Sequence, residues 1–235
     1  MGLTPLASLA IATLAFVGLH FLMSHPLRAG LVGALTERGF LGVYSLVSLA
    51  TLIWMIVAYR AGDDRDPLWI APPGWWLAGS TLMLVACILF AGSLQRNPAF
   101  PNPGAAPVTI GEPGGVFAIT RHPMNNAFML WAFVHASISG SPRNLIVAGG
   151  IFVLALFGSI GQDLRKQRQI GPAWGDWAAK TSVVPFGALI AGRLPWRAAA
   201  PGWTVLIGGI VLWALVTSWH APLVSPLGDL VRRLA

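Results

Sequence analysis

Residues 118–161 read "AITRHPMNNAFMLWAFVHASISGSPRNLIVAGGIFVLALFGSIG". Two apolar runs, roughly 124–140 and 144–161, flank the turn "SGSPRN" with its Pro142 and Arg143. Glycine and proline there end one helix and start the next, so the pair predicts an antiparallel hairpin. Both runs are short, but near the ~20 residues that cross a hydrocarbon core. The hairpin is expected to be transmembrane, and its polar residues then need a reason, because polar groups in lipid are costly and usually functional. They are Arg121, His122, Asn125, Asn126 and His135.

Composition extends this reading to the whole chain. The 235 residues are 55% hydrophobic and 10% charged, and the mean hydropathy is +0.69. Soluble domains carry about 25% charged residues, so this chain lacks the means to cover a water-facing surface. Four further apolar runs fall at about 3–24, 38–59, 74–95 and 203–221. The expected fold is all-α: a polytopic membrane protein, a bundle of about six transmembrane helices. Residues 1–195 form the main transmembrane domain, and 196–235 an additional transmembrane helix and tail. The first run lacks a preceding basic stretch, which argues for a retained helix over a cleaved signal peptide.

A net charge of +7 would suggest nucleic acid in a soluble protein. Here the basic residues lie in short loops, where they set orientation instead, and no nucleic-acid partner is expected. Arg28, Arg38, Arg96, Arg121, Arg165, Lys166, Arg168, Lys180, Arg193 and Arg197 fall in the odd loops; Arg60, Arg65, Arg143, Arg232 and Arg233 fall on the other side. The odd loops should be cytoplasmic and both termini outside. Tryptophans near helix ends, Trp69, Trp75, Trp76, Trp174, Trp177, Trp196, Trp203 and Trp219, fit an interfacial belt. Segment 162–197 mixes charge with Trp and should lie along the cytoplasmic interface. The single cysteine, Cys87, excludes an intrachain disulfide and reads as packing.

Elimination narrows the chemistry. The only glutamates, Glu37 and Glu112, are in loops, so a carboxylate relay inside the membrane is not expected. There is no phosphate-cradling GxxxxGK[ST] and no HExxH. "GEPGG" in the third loop reads as a turn. Five histidines remain: His20, His25, His122, His135 and His220. A neutral imidazole in a membrane suits heme iron or copper. One hydrogen bond to a neighbouring helix satisfies a buried histidine as readily. His20 and His135 fall inside spans, whereas His25 and His220 sit at helix ends. His122, between Arg121 and Pro123, marks the first turn of a helix, and there the pair forms an anion-binding entrance or a helix cap with a snorkelling arginine.

Several blocks carry a resemblance. "FVGLH", ending at His20, is followed by "LRAGLVGALTERGFLGVYSLVSL"; "TRHPMNNAFMLWAFVHA" is central and "WGDWAAKTSVVPF" comes last. In this order they resemble the NnrU family, whose plant relatives are the 15-cis-zeta-carotene isomerases. The resemblance implies heme b ligated by His20 and His135, with Arg121, His122, Asn125 and Asn126 at the cofactor's mouth. It implies redox-dependent cis–trans isomerisation of a lipophilic polyene, or a role in nitrite and nitric oxide metabolism, in a multi-pass protein of the bacterial inner membrane. Membrane lipids and a redox partner protein follow as partners. The isomerase branch has a cysteine three residues before the second histidine; here that residue is Ala132, so a ligand switch through that thiol is excluded. His135 lies thirteen residues past His122, ~20 Å deeper at 1.5 Å per residue. A shared heme therefore requires helix one to continue past Pro26, or the fourth spanning helix to begin well below the surface. Otherwise His122 is the nearer partner for His20.

The same "RHP" block resembles the isoprenylcysteine and phospholipid methyltransferases. In that reading Arg121, His122, Asp163 and Arg165 line an S-adenosylmethionine site. Asn125 replaces the expected tyrosine, Asp163 a glutamate, and Trp174 with Trp177 the paired tyrosines. A non-catalytic heme electron-transfer protein is the third reading, since two axial histidines suit electron transfer.

Overall fold

The computed structural model describes residues 3–62, 67–101 and 110–219. Arg65, His220, Arg232 and Arg233 lie outside the described residues. In chain order the helices are α1 (Pro5–Ser24), α2 (Arg28–Ala61), α3 (Pro73–Ser93), α4 (Val116–Ile119), α5 (Pro123–Ile138), α6 (Pro142–Ile170), α7 (Pro172–Lys180), α8 (Gly187–Ile190) and α9 (Trp203–Trp219), with a 3₁₀ turn at Trp196–Ala199. The spans expected from sequence are α1, α2, α3, α5, α6 and α9. By length and apolarity α1, α2, α3 and α6 can each cross a membrane; α5 and α9 are shorter apolar helices. The protein is an all-α, multi-pass membrane protein.

Proline starts most of these helices. Pro5, Pro73, Pro123, Pro142 and Pro172 sit in the first turns of α1, α3, α5, α6 and α7, where the missing N–H has no intrahelical partner to lose. Thr36 interrupts α2 with φ 64° and ψ 167°, a conformation that a β-branched residue adopts only under strain. Its hydroxyl accepts from the Gly39 N–H (3.4 Å), and Arg28 pairs with Glu37 across the break. The chain thereby turns from a stretch after α1 into the spanning part of α2.

The long helices pack in a row in the order α2, α1, α6, α5, α3, α9. One end of the bundle carries Arg28, Arg121, Lys166 and Lys180 and is called the basic end; the other carries Arg60 and Arg143. Leu9, Ala12, Phe16, Met55 and Ala58 fill the α1–α2–α6 core. A second core beneath the basic end joins Leu89, Phe117, Trp174, Trp177 and Val205. Trp174, 1% exposed, and Trp177 are thus core residues and not part of an interfacial belt. The remaining apolar surface, Leu14, Leu46 and Leu77 among others, faces outward, as a lipid-facing wall requires.

One further expectation changes. The run 144–161 is the middle of a 29-residue helix, ~44 Å long at 1.5 Å per residue. That exceeds a ~30 Å hydrocarbon core, so α6 projects through the basic end, and Gln162–Ile170 continue a spanning helix instead of lying along the interface. The last helix, α9, is a full member of the bundle. Trp213 Nε1 donates to the Ser80 carbonyl (3.0 Å), and Gly209 lies against α3 so closely that a Cβ there would sit 2.7 Å from Ile88 Cα.

Small residues allow backbones to meet in lipid, where packing replaces the hydrophobic drive. Gly209→Ala is therefore expected to lower stability by about 1–3 kcal/mol. Gly149→Ala, with no atom within 4 Å of the added carbon, should be neutral or stabilising by up to ~1 kcal/mol. Melting curves of the two variants in detergent check the pair.

Candidate functional site

At the basic end the "TRHPMNN" segment is tied to α6 and to the chain after α7. Pro123 starts α5, which leaves Arg121 and His122 just ahead of its first turn. Arg121 Nη1 pairs with Asp163 Oδ2. Its Nη2 donates to the Ala178 carbonyl (2.7 Å) and its Nε to Thr181 Oγ1 (2.9 Å). His122 Nε2 faces Asp163 Oδ1 at 2.8 Å, Nδ1 lies 2.9 Å from Gln162 Oε1, and the residue is 3% exposed. Asn126 donates to Thr120 Oγ1 (2.9 Å) and the His122 carbonyl (3.1 Å), and Asn125 to Ser159 Oγ (3.0 Å). Thr120 Oγ1 in turn donates to the Val183 carbonyl (2.9 Å).

This is a closed network. The guanidinium and both ring nitrogens meet protein partners, so the arrangement presents a knot and not an open anion entrance. A cavity beside it, bounded by Asn97, Phe100, Arg121, His122 and Asn125, holds about 30 Å³. That is the volume of about one water molecule, whereas S-adenosylmethionine needs a pocket roughly ten times larger.

The large cavity lies toward the other end, between α3, α5 and α9, and holds about 470 Å³, within the range of small-molecule sites. Trp76, Phe90, Phe128 and Trp131 supply aromatic walls, and Met83, Cys87 and Leu212 aliphatic and thiol surface. Polar groups gather at one end: His135, Ser80, Ser141 and Asn144. His135 Nδ1 donates to the Trp131 carbonyl (2.8 Å), which fixes the ring's tautomer, and the ring stacks on Trp131 at 4.2 Å between centroids. Asn144 Nδ2 donates to the His135 and Ser139 carbonyls (2.7 and 2.6 Å), binding the end of α5 to the start of α6. The segment before α3 closes this end. Trp69 covers Gly140, Ile70 bridges to Ser139, and Trp75 Nε1 donates to Ser137 Oγ (2.9 Å). Arg143 donates to the Tyr59 and Gly62 carbonyls (3.1 and 2.8 Å), capping α2.

His20 is elsewhere. Its Nδ1 donates to the Phe16 carbonyl (2.6 Å), and its ring lies between Phe16 and Tyr44. Thr13 of α1 meets α6 at Gly150, and His25 meets it at Gly161, so His20 stands abreast of about residue 157. His135 stands beside Asn144, some 15–20 Å away along α6 by the helical rise. One iron takes ring nitrogens at about 2 Å each, so this arrangement does not seat a heme between His20 and His135. Helix α1 ends at Ser24 and α5 starts at Pro123, so neither geometric condition for the shared site is met. His122, the nearer partner, has both nitrogens engaged. Among the described residues no group of three or more His, Cys, Asp or Glu gathers at one point.

A family model described as NnrU protein matches residues 8–226. The chain belongs to the NnrU family. The match extends through α9, in keeping with that helix's place in the bundle. Over 79 residues this NnrU protein is 33% identical to the 15-cis-zeta-carotene isomerase, chloroplastic, of Zea mays and 30% identical to that of Arabidopsis thaliana. The match covers 34% of this chain and 22% of each plant protein, so it spans about a fifth of the length of these relatives. No solved structure matches.

Sequence reasoning found His135 but missed its aromatic neighbours Trp76, Phe90, Phe128 and Trp131, and Ser80, Ser141, Asn144 and Tyr59, in this NnrU protein's cavity. "SGSPRN" was legible as a turn; that its serine and asparagine border a cavity depends on how α3 and α9 pack against it. Asp163, met only in the methyltransferase reading, proves central to the knot.

Three outcomes are expected. Asp163→Asn removes the shared acceptor of Arg121 and His122 and should cost about 3 kcal/mol, read as a melting shift in detergent. His20→Ala and His135→Ala should act independently on stability and on visible absorption, since the rings are remote. A low-spin spectrum abolished by either substitution alone would contradict this arrangement. His25, just past the end of α1, has its pKa pushed below 6.5 by burial and by Arg165 and Arg168. The folded state therefore resists a proton that the unfolded chain accepts, and stability falls as pH drops below 6.5. Melting temperatures at pH 7 and pH 5.5 should differ less in His25→Gln than in the parent.

Proposed function

We propose that this NnrU protein binds a lipophilic polyene in the cavity between α3, α5 and α9 and promotes its cis–trans isomerisation, as a multi-pass protein of the bacterial inner membrane. The observation that carries the reading is the cavity itself: about 470 Å³, walled by Trp76, Phe90, Phe128 and Trp131, inside a membrane bundle. The similarity to two plant proteins named 15-cis-zeta-carotene isomerase supports the substrate class. Isomerisation changes the shape of a conjugated chain and leaves its atoms unchanged. The site therefore needs to hold the chain on either side of the bond that turns, keep water away and place one polar group beside it. Aromatic faces do the first two, and His135, stacked on Trp131, is the group beside the chain. Heme b, expected from the resemblance as the redox group, is not seated by His20 and His135 together in this arrangement. A part in nitric oxide metabolism would need such a group as well.

The test is isomerisation of a cis-polyene by the protein in lipid vesicles, followed by chromatography of the isomers. His135→Ala should lower kcat/KM at least tenfold, about 1.4 kcal/mol in the barrier. Cys87→Phe, which fills the cavity, should weaken binding by a similar factor, whereas His20→Ala should leave the activity near that of the parent. Equal activity in His135→Ala and the parent would overturn the reading.

A further inference from the structure

The polar end of the cavity contains two hydroxyls with no hydrogen-bond partner among the described residues. Ser141 occupies the N-cap position of α6, where a serine oxygen ordinarily accepts from an N–H of the first turn, yet it makes no such bond. It is 1% exposed, lines the cavity, and its Oγ has no hydrogen-bond partner among the described residues. Ser80 Oγ, on the α3 wall of the same cavity, is likewise buried and without a partner among the described residues. Buried hydroxyls are nearly always hydrogen-bonded, and each unmet one is costly. Two in one cavity, one of them at a helix N-terminus that no side chain caps, mark a place prepared for an oxygen. The partial positive charge of that terminus favours an acceptor there, and a hydroxyl donor fits one.

We infer that the cavity's ligand is not a plain hydrocarbon but a lipophilic chain ending in a hydroxyl or carbonyl oxygen, which Ser141 and Ser80 hold at the start of α6. This rests on the reading of the cavity as the substrate site and narrows the polyene class to chains that carry an end oxygen, unlike the carotene named for the plant relatives. The apolar walls take the chain, and the serines set its register by fixing the end, which brings one part of the chain to His135. A hydrocarbon polyene would leave both hydroxyls unmet and slide in the slot.

The experiment compares two polyenes of equal length, retinol and its deoxygenated hydrocarbon axerophtene, binding to the full chain in lipid nanodiscs. Energy transfer from the cavity tryptophans to the polyene reports binding. Retinol should bind at least roughly tenfold more tightly. Ser80→Ala/Ser141→Ala should bring retinol to the level of the hydrocarbon and leave axerophtene unchanged. Removing unmet hydroxyls should also leave the melting temperature of the ligand-free protein equal or higher, whereas a structural role for these serines would lower it. Equal binding of the two polyenes by the parent, as when water already satisfies the serines, overturns the proposal alone. No binding of either polyene, or binding unaffected by Cys87→Phe, overturns the reading of the cavity along with it.

Discussion

The Asp163 carboxylate is the point on which the basic end turns. It sits two residues past the end of the apolar run 144–161 of α6 and takes Arg121 on one oxygen and His122 on the other. Charges half removed from water remain only where each has its partner. The ion pair therefore fixes where α5 starts relative to α6. Through the Arg121 contacts to Ala178 and Thr181 it also fixes how α7 folds back. Trp174 and Trp177 then fall beneath the knot as core. If α6 had stopped at Gly161, Asp163 would have no place in the fold, and Arg121, which holds Ala178 and Thr181, would lose its carboxylate.

Much of this was legible. Apolar runs of the right length located the long helices α1, α2, α3 and α6, and "SGSPRN" located the turn between α5 and α6. The basic residues separated the two ends. What failed to appear has a common physical origin. Trp174 and Trp177 look alike in a belt or in a core, because both sites favour a large amphipathic ring. Whether Gln162–Ile170 leaves the membrane as helix or bends along it depends on a partner, Arg121, far away in sequence. His20 and His135 share the same local pattern, a ring nitrogen bonded to a carbonyl four residues earlier, and that pattern says nothing about their separation. Depth is set by where each helix starts, and the ends at Ser24 and Pro123 place the two rings apart.

The cavity runs along α5, from Ala127 to Ser139, on the side where α3 and α9 face it. Helix α5 ends at Ile138, and the chain turns through Ser139–Ser141 to begin α6. Trp69 and Trp75 close this outer end. The polar residues here lie at a helix start, the place where a membrane protein most easily leaves backbone and side-chain groups available for a ligand.

The knot and the polar end of the cavity lie at opposite ends of α6, around Asp163 and around Ser141 and Asn144, separated by more than the ~10 Å over which substitutions usually influence one another. The fold thus keeps its scaffold and its recognition surface on different stretches of one rod. A lineage carrying this bundle is free to exchange residues around Ser80, Cys87 and Ser141 and so take up new lipophilic compounds, while the end that holds the helices in order stays as it is.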